Sequence, residues 1–106
     1  MSVGLNDFQS GALEYMNEHI HKLPGGMHEA ITAWVLIGRK PGHFLSALLS
    51  NDLMEAFARA DDANQQAMKD WVVFLYNYCP GGCFGSSAKF EDWAKAGGLA
   101  RYGTGS

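Results

Sequence analysis

Apolar residues recur at helical spacing from the beginning of this chain. The first stripe follows the pattern i, i+3, i+7, i+11 and i+15 and consists of Leu5, Phe8, Ala12, Met16 and Ile20. Three Pro-Gly pairs, at positions 24–25, 41–42 and 80–81, then interrupt the helical pattern. The pattern predicts an all-α fold, a single compact domain of about five to six short helices over residues 1–106.

Five further helices are predicted after the first one. They run from about Met27 to Gly38, from His43 to Leu49, from Asp52 to Ala60, from Ala63 to Tyr78 and from Ser87 to Ala96. The helix from Ala63 to Tyr78 is apolar on almost every face, which is typical of a helix that is buried or partly covered by another subunit. Residues 97–106 are rich in glycine and are predicted to form a flexible tail.

Capping residues accompany two of the predicted helix starts. Asp52 and Glu55 have the spacing of a capping box, and Asp62 with Gln65 repeats that spacing at the next helix. Arg59 follows Glu55 by four residues, so the two side chains could also form an ion pair on the helix surface.

Composition and charge narrow the class of protein. The chain has 106 residues, of which 47% are apolar, and this is enough for one domain with one core. Its net charge of −3 and its scattered basic residues argue against binding to nucleic acid by bulk electrostatics. No apolar run approaches the about 18 residues of a membrane span, and residues 1–7 do not resemble a secretory signal. We therefore expect a cytoplasmic protein that binds neither nucleic acid nor membrane.

The segment from Pro41 to Asp61 carries the most distinctive sequence. It reads Pro-Gly-x-Phe-Leu-x-Ala-x-Leu-x-Asn-Asp-Leu-x-Glu-Ala-x-x-Arg-Ala-Asp. Three later pieces accompany it: Tyr76-Asn77-x-Cys79-Pro80, Phe84-Gly85-Ser86 and Trp93. Over roughly residues 27–99 the chain resembles a family of small helical proteins encoded by bacteriophages and prophages. The resemblance implies a phage origin, short helices and a non-structural accessory role in the host cell, and it transfers no catalytic residue to this chain.

No catalytic or metal-binding pattern stands out. The four histidines have no adjacent nucleophile, and no serine lies in a Gly-x-Ser-x-Gly motif. Cys79 and Cys83 are two candidate zinc ligands, whereas structural zinc sites need four. We interpret Cys79 as a core residue and Cys83 as a loop residue. We therefore expect no enzymatic activity, no cofactor and no bound metal.

Eight residues are candidates for binding a ligand. They are Arg39, His43, Asn51, Asp52, Arg59, Gly82, Ser86 and Ser87. Two of them, Asn51 and Asp52, could hold a ligand's polar groups, or they could end one helix and cap the next, which is the interpretation we favour. The glycine-rich segment 81–87 could bind an anion at a helix start. A plain turn with Ser86 or Ser87 as the cap accounts for the same residues and is favoured.

Two functions remain open. The first is a non-catalytic interaction module, forming a homo-oligomer, that binds and inhibits or redirects a host protein. The second is a binder that sequesters a small anionic ligand, such as a nucleotide signal of host immunity. Convergence of Arg39 and Arg59 on segment 81–87 would favour the second function. Divergence of these arginines together with an exposed apolar patch would favour the first.

Overall fold

The computed structural model describes residues 6–99, and every regular element in that range is helical. The seven α-helices among these residues are α1 (Asp7–His19), α2 (His28–Ile37), α3 (His43–Leu49), α4 (Leu53–Arg59), α5 (Asp62–Gln66), α6 (Met68–Tyr78) and α7 (Ser87–Ala96). Three 3-10 turns lie between them, at Ile20–Lys22, Gly25–Met27 and Gly81–Cys83. The all-α prediction is confirmed.

One predicted helix is two helices in the structure. The chain from Ala63 to Tyr78 breaks at Ala67, whose backbone torsions of φ −89° and ψ 8° leave the helical range and separate α5 from α6. The apolar period continues across this residue, so the sequence pattern does not reveal the break. The described residues therefore contain seven α-helices where about six were predicted.

Side-chain caps begin the short helices in the middle of the chain. Asp52 caps α4 by accepting a hydrogen bond from the Glu55 backbone N–H at 3.3 Å. The Glu55 carboxylate binds Arg59 at 2.6 Å, so the second half of the predicted capping box is not made. The cap of α5 is Asp61, one residue before the predicted Asp62. Its carboxylate accepts from the backbone N–H three residues later, at 2.9 Å.

Three buried tryptophans hold the core together. Trp34, Trp71 and Trp93 are at most 1% exposed. The Trp34 indole N–H donates to the Cys83 carbonyl at 3.0 Å, and the Trp93 indole N–H donates to the Trp34 carbonyl at 2.9 Å. The Trp71 indole N–H donates to the side-chain oxygen of buried Asn64 at 3.0 Å. These bonds let large aromatic side chains be buried without losing hydrogen bonds.

The helices pack around this core in a simple order. Helix α1 packs on α6, α4 packs on α3, and α3 also contacts α7. Ala56 is fully buried where α4 meets α3. The other α4 side chains from Leu53 to Arg59 are exposed, so this helix presents most of its surface to solvent.

The flexible tail was predicted to begin at residue 97, but the chain is still packed in the core at Leu99. Leu99 is 4% exposed and belongs to the core. Its backbone N–H donates to the Val35 carbonyl at 2.7 Å, and its carbonyl accepts from the Gln9 side chain at 2.9 Å. Residues 97–99 are thus packed against α1 and α2. Residues 100–106 of the predicted tail lie outside the described part of the chain.

Glycines make this packing possible. Gly38 ends α2 in the left-handed region, at φ +71°, and Gly98 also has positive φ, at +78°. A Cβ atom on Gly38 would lie 2.8 Å from the backbone nitrogen of Gly98. The two backbones approach so closely that neither position has space for a side chain.

Candidate functional site

Each of the two candidate arginines forms an ion pair with a glutamate that is close to it in the sequence. Arg59 binds Glu55 within α4, at 2.6 Å between Nε and Oε1. Arg39, just after α2, lies 3.9 Å from the carboxylate of Glu29. All four side chains are about half exposed or more. Among residues 6–99, no hydrogen bond or ion pair links either guanidinium group to segment 81–87.

Segment 81–87 forms the capped turn that the sequence favoured. Ser86 is the cap of α7, and its hydroxyl accepts from the Lys89 backbone N–H at 3.1 Å. Ser87 is the first residue of α7 and is exposed. The cap occupies one of the backbone amides that an anion at this helix start would need.

Other amides of the turn are also engaged. The Gly85 N–H donates to the Leu49 carbonyl at 2.9 Å, and the Cys83 N–H donates to the Pro80 carbonyl at 3.1 Å. Gly82 lies inside this 3-10 turn. The segment is therefore hydrogen-bonded to the end of α3. Its backbone amides at Cys83 and Gly85 donate to carbonyls of the protein rather than to a bound anion.

Two of the remaining candidates have structural roles and one has none. Asn51 ends α3 at φ +64°, a left-handed conformation that asparagine tolerates better than most residues. Asp52 caps α4. His43 is the first residue of α3, and its side chain is exposed. The Asn51 side-chain amide makes no hydrogen bond within residues 6–99, so its polar atoms are available to a partner.

An apolar groove lies between α4 and α6. Its cavity volume is about 270 Å³. The lining residues come from α3, α4, α6 and the turn before α7, and they are Leu48, Asn51, Leu53, Val72, Leu75, Tyr76 and Phe84. We call this set the α4–α6 groove. Asn51 is the one member of the set with a polar amide, so contacts in the groove are mainly apolar.

The floor of the groove is continuous with the hydrophobic core, whereas its walls are exposed. Leu48 and Leu75 are 8% and 4% exposed and belong to the core. Leu53 and Val72 are about half exposed, and Tyr76 is 78% exposed. The floor thus holds a fixed shape while the walls offer apolar surface to a partner.

Two more apolar side chains of α4 are exposed near Leu53, although they do not line the cavity itself. Met54 is 85% exposed and Phe57 is 42% exposed. Phe57 follows Leu53 by four residues and therefore lies beside it on the helix surface. Met54 is a flexible and polarisable side chain of the kind used at adaptable binding surfaces. We call these two residues the groove rim.

The chain concentrates its negative charge in the segment from position 52 to position 70. Of its 11 acidic and 8 basic residues, 5 acidic and 2 basic ones lie between positions 52 and 70. They are Asp52, Glu55, Asp61, Asp62 and Asp70 against Arg59 and Lys69. The other 6 acidic and 6 basic residues cancel, so this segment carries the whole formal net charge of −3. None of these seven charged residues lines the α4–α6 groove.

Two other hollows are less suited to a partner. One, of about 250 Å³, lies between α1 and the end of α6 and includes Tyr15 and Tyr78. The face of the Tyr78 ring is already covered by His19, whose ring stacks on it at 3.6 Å between centroids. The other follows α2 from His28 to Ile37 and is lined by that helix alone, so it is a shallow shelf.

Cys79 is half-buried and packs against the core, as expected. Cys83 lies in the 3-10 turn Gly81–Cys83, outside the α-helices as expected, but its side chain is fully buried. A hydrogen bond with Cys83, together with burial, raises the pKa of the Cys79 thiol well above its usual value. A protonated thiol is a weak nucleophile, so Cys79 is poorly placed for covalent chemistry at neutral pH.

Within residues 6–99 the structure brings no three histidine, cysteine, aspartate or glutamate side chains together as metal ligands. The histidine hydrogen bonds among these residues go to backbone carbonyls, those of His19 to Tyr15 and of His28 to Leu23. No helix in the described part of the chain is both long and apolar enough to cross a membrane.

Comparison with known proteins adds no identification. No protein family model, no curated protein and no solved structure matches this chain. The resemblance to phage-encoded proteins therefore stays a prediction carried by residues 41–61 and the three later pieces of sequence.

The groove was not predicted as a site from the sequence, although one signal pointed to it. Helix α6 has apolar residues on nearly every face, and only some of them fit inside a small domain. The exposed members, Val72 and Tyr76, form the groove wall. Of the eight predicted site residues, only Asn51 lines the groove.

Proposed function

We propose that this protein is a non-catalytic interaction module that binds a host protein through the α4–α6 groove and so modulates or inhibits it. The observation that carries the proposal is the groove itself, an apolar surface with a core floor and exposed walls at Leu53, Val72 and Tyr76. The host and phage setting rests on the resemblance of residues 41–61.

The arrangement of charge favours this function over sequestration of a nucleotide. Arg39 lies 3.9 Å from the carboxylate of Glu29 and Arg59 binds Glu55, so the two arginines form separate ion pairs. The groove volume of about 270 Å³ is below the roughly 300–1,000 Å³ of small-molecule pockets. Its lining includes no basic side chain for a phosphate.

A matched pair of variants tests the proposal. Tyr76→Glu places a charge on the groove wall, while Phe8→Glu places one on an equally exposed aromatic of α1. We expect the unmodified protein and Phe8→Glu to recover the same host protein from a bacterial extract, and Tyr76→Glu to lose it. Circular dichroism and thermal melts of the three proteins verify that each is folded.

Two results would contradict the proposal. One is equal recovery of the host protein by Tyr76→Glu and Phe8→Glu. The other is a clear rise in the melting temperature with one member of a nucleotide panel, because a ligand that binds only the native state stabilises it. The second result would favour the sequestering function instead.

A further inference from the structure

Two thiols meet at the turn that follows α6. Cys79 comes directly after the last residue of α6, and Cys83 ends the 3-10 turn Gly81–Cys83. The two side chains are hydrogen-bonded to each other, and neither forms a disulfide. We infer that Cys79 and Cys83 form a reversible intramolecular disulfide when a hydroperoxide reaches them, and that this disulfide alters the turn that places Phe84 in the α4–α6 groove.

The backbone keeps the two cysteines close together. Three residues, Pro80, Gly81 and Gly82, separate them in the sequence. The Cys83 N–H donates to the Pro80 carbonyl at 3.1 Å, which turns the chain back directly after Cys79. A disulfide requires Cβ atoms about 3.5–4.5 Å apart. Thiols that already form a hydrogen bond need only a small shift of the turn to reach this separation.

A small oxidant has access to one of the two thiols. Cys79 is half-buried and lines the hollow of about 250 Å³ between α1 and the end of α6. This volume is far above the roughly 10–15 Å³ that a water molecule needs, so a small hydroperoxide fits. Cys83 is 0% exposed and does not line this hollow. Cys79 therefore meets the oxidant first, and Cys83 is shielded until Cys79 has reacted.

The reaction is a two-electron oxidation in two steps. The Cys79 sulfur, after losing its proton, attacks one oxygen of hydrogen peroxide. The O–O bond breaks, hydroxide leaves and takes up that proton as water, and a sulfenic acid remains on Cys79. The Cys83 sulfur then attacks the Cys79 sulfur, the S–O bond breaks, and the S–S bond forms as water leaves with the Cys83 proton. In total the two thiols lose two electrons and two protons, and the peroxide is reduced to two water molecules.

The first step is slow at neutral pH. The hydrogen bond with Cys83 and burial raise the pKa of the Cys79 thiol, and the thiolate is the form that attacks. The pair therefore stays reduced until the oxidant is abundant or persistent. In a reducing compartment such disulfides are transient, and transient disulfides serve as redox sensors.

The turn connects the thiols to both the core and the groove. The Cys83 carbonyl accepts the Trp34 indole N–H at 3.0 Å. Phe84, the next residue, lines the α4–α6 groove, as does Tyr76, which precedes Cys79 by three residues. A disulfide imposes its own torsion angles on the residues that it joins. Its formation therefore displaces the Cys83 carbonyl and Phe84 together, and the shape of the groove changes with the redox state of the pair.

Peroxide treatment of the full chain tests the disulfide. The protein is incubated with hydrogen peroxide at low protein concentration, and the remaining thiols are then blocked with iodoacetamide. Mass spectrometry of the chain and its peptides is expected to show a monomer that has lost two hydrogen atoms and has Cys79 joined to Cys83. Dithiothreitol should restore the original mass. No oxidation, a disulfide between two chains, or sulfinic acid at Cys79 with Cys83 untouched would overturn the inference.

Two variants assign the roles of the thiols. In Cys83→Ala, oxidised Cys79 has no partner and should stop at the sulfenic acid, which dimedone labels. In Cys79→Ala, the buried Cys83 should react at least about tenfold more slowly than Cys79 does in Cys83→Ala. Thermal melts verify that both variants are folded. Equal rates in the two variants would contradict the assignment of Cys79 as the thiol that meets the oxidant.

Nuclear magnetic resonance tests the connection to the groove. The chain has three tryptophans, so their indole N–H signals can be followed separately. On oxidation the Trp34 indole signal and the Phe84 amide signal should shift, while the Trp71 indole, which bonds Asn64, should stay in place. Unchanged Trp34 and Phe84 signals in the oxidised protein would overturn the effect on the groove. The disulfide does not depend on the proposed function, since recovery of a host protein is measured separately.

Discussion

Polar atoms inside the core determine how three tryptophans are placed in this protein. Each indole N–H finds an acceptor, and for Trp71 this acceptor is the side chain of buried Asn64. The apolar period predicts that Trp34 and Trp71 face inward, and both are buried. The partners are not visible in the sequence, because the Trp34 indole bonds a carbonyl 49 positions away, that of Cys83. This contact also explains why Cys83 is buried although it lies in a glycine-rich turn.

At this scale, Trp71→Phe should lower the free energy of unfolding by about 2 kcal/mol. The smaller ring leaves space in the core, and the Asn64 side chain loses its buried donor. Chemical denaturation, monitored by circular dichroism, measures the loss. Adding Asn64→Leu should recover part of it, since removing both partners leaves no buried polar atom unpaired. A double variant that is no more stable than Trp71→Phe would show that the hydrogen bond does not matter.

The short helices of the middle segment depend on their caps. Local signals predicted α3 and α4 well, because Pro41-Gly42 and Asp52 act on their immediate neighbours. The cap of α5 was placed one residue late, since Asp61 and Asp62 are both good caps in sequence. Asp61 has the extended torsions of a cap, at φ −75° and ψ 177°, while Asp62 is already helical. The break at Ala67 has no local signal.

Replacing each of these two aspartates in turn tests the cap. Asp61→Ala should destabilise the protein by about 1 kcal/mol, because the Asn64 N–H loses its acceptor. Asp62→Ala should cost less than about 0.5 kcal/mol, since it removes only a charge near the start of the helix. Urea unfolding of both variants gives the two values. Equal losses would show that the cap is shared between the two residues.

Contacts between segments that are far apart in the sequence hold residues 6–99 together. The backbone of Leu99 is hydrogen-bonded to the Gln9 side chain, 90 positions away, and to the backbone carbonyl of Val35 in α2. The glycine-rich composition of residues 97–106 predicts a flexible tail. In the structure, however, the backbone of Gly98 packs closely against that of Gly38. The α4–α6 groove is likewise formed by segments that are separated in the sequence. Local patterns predict its helices, but not that Asn51 and Tyr76 line one cavity.

The packed end of the described chain should be important for stability. Leu99→Ala is expected to cost about 2–4 kcal/mol, since it removes most of a side chain that is 4% exposed in the core. Phe8→Ala, at a position that is 80% exposed, should change the stability by less than about 0.5 kcal/mol. Thermal and denaturant unfolding compare the two variants. A negligible effect of Leu99→Ala would mean that residues 97–99 do behave as a tail.

Photo-cross-linking from the groove wall tests the central claim most directly. A photoreactive phenylalanine analogue is placed at Tyr76 in one protein, at Met54 of the groove rim in a second, and at Phe8 of α1 in a third, all three positions being highly exposed. After irradiation in a bacterial extract, mass spectrometry identifies the cross-linked peptide. The account predicts that positions 76 and 54 capture the same segment of one host protein, and that position 8 does not. Capture of that segment from position 8 as well, or its absence at position 76, would contradict it.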